Sequence, residues 1–201
     1  MTKFDQKKFE IKQAGIKAFA TYGFYKTTLD DIAGMLGMKK NSLYYYFESK
    51  EILIREILID EIETHLELGR AIQKMDLTAS EKLLRFAEAI INFIQERTSE
   101  YAVTLVSIIE ISKVIRTLVP DFQIQQAATF QFILKEGVDF GEFRAHNTGQ
   151  VAADLAELIP AFFNHNYVSS DLKFVSEIDF NRITEEIKRI IVYISDGIKA
   201  Y

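Results

Sequence analysis

The chain has 201 residues, of which 48% are apolar and 26% charged, with a net charge of −5 at pH 7. That is ordinary globular composition, with length for one large domain or two smaller ones sharing a core. There is no cysteine, which removes disulfides, thiolate metal sites and cysteine nucleophiles.

No run approaches the roughly 18 apolar residues of a membrane span, and the charged start Met1–Glu10 lacks the apolar core of a secretory signal. A soluble, cytoplasmic protein is expected, with no membrane partner. Only two prolines, Pro120 and Pro160, interrupt the chain, so the expected fold is all-α, with about nine helices.

The first helix is expected over residues 5–22, with Ile11, Gly15, Ala18, Phe19 and Tyr22 on one apolar stripe and Gly23 as its stop. A second begins at Thr27 or Thr28. Thr28 with Asp31 three residues on forms a capping box, Ile32, Ala33 and Leu36 face inward, and Gly37 supplies the left-handed end. A third covers about Lys40–Tyr46. Leu43 and Phe47, four apart, point into the core, which leaves Lys40, Asn41, Tyr44 and Tyr45 on the opposite face. Two short helices joined by a glycine turn form a helix-turn-helix, whose second helix enters the major groove of DNA.

Ser49 caps a long fourth helix, Lys50 to Lys74, with apolar residues at 52, 53, 57, 59, 62, 66 and 68. The fifth opens on the capping box Thr78-Ala-Ser-Glu81 and runs to Arg97. The sixth covers about Glu100–Leu118, stopped before Pro120. The seventh runs from Asp121 to Val138, ended by Gly137 or by the turn at Gly141. The eighth starts at Asn147, with Asn147 and Gln150 in reciprocal capping roles, and reaches Tyr167; Pro160 predicts a kink or break near Glu157. A loop over Val168–Asp179 includes Ser169-Ser170-Asp171, and the ninth helix covers Phe180–Ile198. No strand pair is expected.

Charge is unevenly spread. Residues 1–50 carry nine lysines against five acids, a balance of +4, whereas the remainder carries 15 basic and 24 acidic residues, a balance of −9. A basic head on an acidic body concentrates attraction for phosphate at one end. Chance segregation of surface charge gives the same pattern in some small domains.

At residues 27–53 the run T-T-L-D-D-I-A-G-M-L-G-M-K-K-N-S-L-Y-Y-Y-F-E-S-K-E-I-L resembles the DNA-binding signature of the tetracycline-repressor (TetR) family, T-T-x-x-I-A-x-x-x-G-V-S-x-G-x-L-Y-x-Y-F-x-S-K-E-x-L. Ala18-Phe-Ala-Thr-Tyr-Gly-Phe24 resembles the family's first helix. Two departures stand out. Lys39 replaces the serine that caps the recognition helix, and losing such a cap costs about 1 kcal/mol; Asn41 replaces a glycine.

The resemblance implies a DNA-binding domain at 1–48 and an effector-binding and dimerisation domain at 49–201. It implies phosphate contacts at Thr27 and Thr28, base-edge or backbone contacts at Lys40, Asn41, Ser42, Tyr44 and Tyr45, and phosphate grips at Tyr46 and Lys50. Lys39 adds a phosphate contact of its own. The chemistry agrees: Asn pairs with adenine, Lys reaches guanine, and hydroxyls and ammonium groups hold phosphate.

The resemblance also implies a homodimer through the last two long helices and a ligand cavity among the middle ones. Helices eight and nine are apolar beyond one stripe, as helices that meet a partner or lie deep inside must be; Ala152, Leu155, Ile159, Phe163, Ile183, Ile187, Ile190 and Ile194 are the expected dimer residues. Phe86, Phe93, Tyr101, Phe122, Phe130 and Phe162 are candidate cavity lining, although ordinary core packing is the alternative for each. Asn92 and Glu110, with His146 and His165, are candidate polar anchors.

No HExxH, GxSxG or GxGxxG motif is present, capping accounts for Asp30 and Asp31, and no catalysis, metal or cofactor is expected. The leading expectation is a repressor that leaves a palindromic double-stranded operator when a hydrophobic or amphipathic small molecule binds. The alternative is a DNA-binding structural or partner-regulated protein without an effector.

Overall fold

A computed structural model describes residues 2–99, 101–168 and 171–200. Nine α-helices follow in order among them: α1 (Lys3–Tyr22), α2 (Leu29–Met35), α3 (Lys40–Tyr44), α4 (Lys50–Gln73), α5 (Ala79–Ser99), α6 (Leu105–Leu118), α7 (Asp121–Asp139), α8 (Thr148–Val168) and α9 (Phe180–Ile198). No strand forms among the described residues, and extended pairing is limited to two isolated bridges, Thr104 with Phe174 and Phe143 with Lys199. The fold is all-α, as the sequence implies.

The residues sort into two compact units. The first comprises Met1–Ile62, Thr98–Val119 and Leu172–Glu177; the second comprises Glu63–Arg97, Pro120–Asp171 and Ile178–Tyr201. In the first unit α1 starts two residues earlier than expected, because Thr2 and Asp5 form a capping box, with Asp5 N–H donating to Thr2 Oγ1 at 3.1 Å and Thr2 N–H to Asp5 Oδ2 at 2.9 Å. Ile11, Ala18 and Phe19 of the stripe are buried, but Tyr22 is exposed. Gly15 lets α1 press against α4: a Cβ there would meet Leu53 Cδ2 at 3.1 Å and Ile57 Cδ1 at 3.2 Å.

The buried side of α4 in this unit is Leu53, Ile54, Ile57, Leu58 and Ile62, while Ile52 and Ile59 face outward. Lys8 Nζ to Glu56 Oε1 and Lys12 Nζ to Asp60 Oδ2, both 2.8 Å, tie α1 to α4 along the rim. Burial raises the Glu56 pKa, but hydrogen bonds from Lys8 and Lys12 outweigh it and hold the carboxyl below its ordinary value.

Helix α6 begins at Leu105, capped by Thr104, whose Oγ1 accepts from Ser107 N–H at 3.1 Å. Glu100, expected near its start, lies outside the described residues. The later start follows from pairing with the 172–175 segment: Leu105 N–H donates to Lys173 O at 3.1 Å and Val175 N–H to Val103 O at 2.9 Å. Ser169 and Ser170 of the expected loop are likewise outside the described residues.

In the second unit the Thr78–Glu81 capping box forms as expected. Glu142 adds a second cap to α5, accepting from Ala79 N–H at 2.6 Å and Ser80 N–H at 2.9 Å. Gly137 does not end α7; it sits inside the helix where a Cβ would collide with the Phe143 ring and Ala79, and Gly141, at φ 76°, makes the turn. Helix α8 runs unbroken through Pro160. At its start Asn147 Oδ1 accepts from Gln150 N–H at 3.1 Å, but the Gln150 amide turns to Asp154 at 2.9 Å, so the capping is one-sided. Helix α9 has the expected bounds, with Asp179 as its cap.

Candidate nucleic-acid interface

The turn between α2 and α3 is built by local chemistry. Thr28 caps α2, with its hydroxyl 2.6 Å from Asp31 Oδ2 and its N–H 2.9 Å from the same oxygen; these bonds, side chain first, hold the Asp31 pKa below its ordinary value. Gly37 takes φ 61°, which a side-chain-bearing residue rarely adopts. Helix α3 follows with only five residues. Lys39 stands at its N-cap in extended geometry, φ −69° and ψ 140°, with no side-chain hydrogen bond, so the missing serine cap is a real gap. The helix stops two residues short of expectation, and Tyr45 and Tyr46 form the turn that follows it.

Leu43 is fully buried and Phe47 nearly so, and the opposite face is open. Lys39, Lys40, Asn41, Ser42 and Tyr44 are exposed, and Tyr45 is 75% exposed. Lys40 Nζ lies 2.7 Å from Asp30 Oδ2 and 5.6 Å from the Tyr44 ring centroid; the hydrogen bond to Asp30 raises its pKa. Donors, an amide and two phenol rings therefore share one surface.

Two of the residues expected at phosphates are engaged within the chain. Thr27 is only 2% exposed and its hydroxyl donates to Gly23 O at 2.7 Å, so it closes the α1–α2 loop. Lys50 Nζ donates to Phe24 O at 2.9 Å, Thr27 O at 3.1 Å and Tyr25 O at 3.2 Å, and sits 4.5 Å over the Phe24 ring. Its three donors converge on carbonyls of the same loop. From the other side Glu110 of α6 accepts from Tyr25 N–H at 3.3 Å, and its Oε2 would lie 2.6 Å from a Cβ at Gly23, whose φ is 86°. Glu110 is therefore a loop anchor.

A family model described as bacterial regulatory proteins, tetR family, matches residues 11–57, the span that holds this surface. The HTH-type transcriptional repressor KstR2 of Mycolicibacterium smegmatis is 31% identical over 143 residues, 67% of this chain and 66% of that protein. The chain belongs to the TetR family.

A further TetR-type relative, the HTH-type transcriptional regulator TtgR of Pseudomonas putida, is 36% identical over 67 residues, 33% of this chain and 32% of that protein. The matches thus span 66% and 32% of these two relatives' lengths. The crystal structure of a transcriptional regulator from Cytophaga hutchinsonii shares the fold, with a TM-score of 0.75, 22% identity and coverage of 94% of this chain and 97% of that one. No helix among the described residues is long and apolar enough to cross a membrane.

The second unit of this TetR-family chain holds an aromatic cluster around a residue that sequence reasoning passed over. His65 is 3% exposed, with its ring 5.4 Å from Phe122, 5.5 Å from Phe93 and 6.0 Å from Phe86, and Phe86 lies 4.8 Å from Phe130. Burial pushes the His65 pKa down to about 4, so the imidazole is neutral at pH 7. Gln126 Nε2 is 3.5 Å from His65 Nε2, too long for a strong hydrogen bond. The usable signal was His65 at helical spacing from Ile62 and Gly69, on the buried side of α4.

The other predicted cavity residues are scattered. Tyr101 and Glu110 belong to the first unit; Asn92 and His165 are exposed, while Phe162 is half-buried. His146 Nδ1 is 2.8 Å from Arg144 O.

The expected dimer residues lie mostly inside the chain. Ala152, Leu155, Ile159, Phe163, Ile183 and Ile187 are buried within the single chain, and Ile190 and Ile194 are half-buried. Side chains covered by their own chain leave little surface for a partner. Ala153, Glu157 and Ala161 on α8, and Val192 and Tyr193 on α9, are exposed.

Proposed function

We propose that this chain is a DNA-binding transcriptional repressor, acting as a homodimer on a palindromic operator in the cytoplasm and released by a hydrophobic or amphipathic small molecule. The observation that carries the reading is the exposed Lys39–Asn41 and Tyr44–Tyr45 surface on a helix whose other side is locked by Leu43 and Phe47. Asn41 is assigned to base reading, and Lys39, Lys40, Ser42 and Thr28 to phosphate or base edges, with residues 1–48 as the DNA-binding domain and 49–201 as the effector and dimerisation domain. Two such heads on a two-fold axis engage half-sites about 34–36 Å apart.

The His65 cluster, with Phe86, Phe93, Phe122 and Phe130, is the effector contact this reading favours, because a neutral imidazole in an apolar setting suits an uncharged polar group on a lipophilic compound. The reading involves no catalysis. Release requires only that the effector bind the weakly DNA-binding state more tightly than the other.

One observation supports the alternative without an effector: a Cβ at Gly69 would meet Thr129 Cγ2 at 3.0 Å and the Phe86 ring at 3.2 Å, so the protein itself fills that side of the cluster. A screen of lipophilic compounds by thermal shift and by gel shift on bound operator separates the two. Compounds that raise Tm and free the DNA support the effector reading. Uniform silence, or stabilisation with DNA still held, supports the alternative.

A further inference from the structure

Helix α3 is a poor helix by itself. Five residues are too few to be stable alone, and its N-cap contributes no side-chain bond. Leu43 and Phe47 fix its inner face, α3 carbonyls hold the backbones of Tyr45 and Tyr46 beyond its end, and the rings of those two tyrosines pack against Phe4. Its ring stacks on Tyr46 at 4.9 Å with 28° between planes, and meets Tyr45 edge-on at 6.0 Å and 88°. Tyr45 and Tyr46 meet each other edge-on at 5.3 Å and 87°.

These are the two geometries that the ring quadrupole favours, and the three rings make a closed triangle at the surface. Phe4 is held in turn by the first turn of α1, which the Thr2–Asp5 capping box starts. Phe4 remains 42% exposed and Tyr45 75% exposed, so the triangle contributes little to the core and leaves one side open to solvent.

We propose that Phe4 is a positioning residue for DNA recognition: it clamps Tyr46 and orients Tyr45, and so sets the recognition surface from outside the helix-turn-helix. The inference rests on the DNA-binding reading above. Its consequence is that specificity depends on the first turn of the chain, where the clamp supplies the order that the missing cap at Lys39 does not.

The test uses the full chain with Phe4→Ala, Phe4→Leu and Phe4→Trp, the last also introducing the sole tryptophan of a tryptophan-free sequence. The operator is the duplex that wild-type protein selects from a random-sequence pool. Phe4→Ala and Phe4→Leu are expected to bind it about tenfold more weakly, while affinity for random duplex changes less than twofold. Phe4→Trp, which retains a stacking ring, is expected to stay within about threefold of wild type.

A DNA-free measurement judges the clamp separately. In protein labelled with 3-fluorotyrosine, the ¹⁹F resonances of Tyr45 and Tyr46, assigned with Tyr45→Phe and Tyr46→Phe, should move toward the free-tyrosine position in Phe4→Ala and hold in Phe4→Trp. Unmoved resonances overturn the clamp. Moved resonances with unchanged operator affinity, or with equal loss on random duplex, overturn its role in recognition. Wild-type protein that selects no duplex overturns the DNA-binding reading and the role of Phe4 in recognition with it.

Discussion

Replacing Lys50 with methionine keeps the aliphatic stem and deletes the ammonium that closes the Gly23–Thr28 loop. The three carbonyls it serves, at 2.9, 3.1 and 3.2 Å, lose a charged donor; hydrogen bonds to charged groups contribute about 1.5–3 kcal/mol each. Water reaches the exposed Tyr25 and part of the remaining site, which offsets much of that loss. The cation over the Phe24 ring at 4.5 Å contributes about 0.5–1 kcal/mol more. The expected net destabilisation is about 2–3 kcal/mol, or a fall of about 4–12 °C in Tm for a chain of this size.

Lys50→Arg should recover only part of it, because a planar guanidinium cannot aim its donors at three converging oxygens. Thermal melts followed by circular dichroism measure the loss. Duplex titrations at several salt concentrations should then give the wild-type salt slope for Lys50→Met under conditions where it is folded. An unchanged Tm with a slope reduced by about one would refute the reasoning and return Lys50 to a phosphate.

Lys39→Ser places a capping hydroxyl where the backbone is already extended; it should stabilise the free protein by about 1 kcal/mol and lower the salt slope for DNA by about one per head if Lys39 touches a phosphate, as read by urea melts and salt titrations together. Glu110→Ala removes the acceptor for Tyr25 N–H and should raise hydrogen exchange at Tyr25; unaltered exchange would dismiss Glu110 as an anchor. His65 has its pKa pushed down to about 4 in the folded protein against about 6.5 when unfolded. The unfolded chain therefore takes up the proton first as pH falls. Stability is unaffected by this group above pH 6.5 and drops by up to about 3 kcal/mol between pH 6.5 and 4. Urea midpoints of His65→Phe across that window should be flatter than wild type by one proton's worth, and parallel curves would count against the buried neutral ring.

What could be read from the sequence was what lies within one turn. The capping boxes at Thr28–Asp31 and Thr78–Glu81, the left-handed Gly37 and the absent cap at Lys39 all depend on residues no more than three apart. Leu43 and Phe47 could be assigned to the core because their spacing leaves α3 no other buried face.

Contacts across the chain were not readable. Lys50 finds its carbonyls 23 to 26 residues away, and Glu110 its partner 85 away. Read locally, Lys50 suits a phosphate and Glu110 a cavity, and neither spacing points to the loop that both hold. In α8 and α9 the apolar residues extend round more than one face, and composition does not say which face the chain covers itself. His65 was overlooked because a histidine among distant histidines resembles a stray surface residue, whereas its aromatic neighbours come from two other helices, α5 and α7.

The most direct test of the central claim is the equilibrium binding of wild-type protein, by fluorescence anisotropy, to its selected operator and to random duplex between 50 and 200 mM salt. The account predicts operator binding at least about a thousandfold tighter than random duplex. It also predicts a log–log salt slope of several units, and selective loss of the operator term in Asn41→Ala. Binding that is indifferent to salt, or equal on both duplexes, would contradict it.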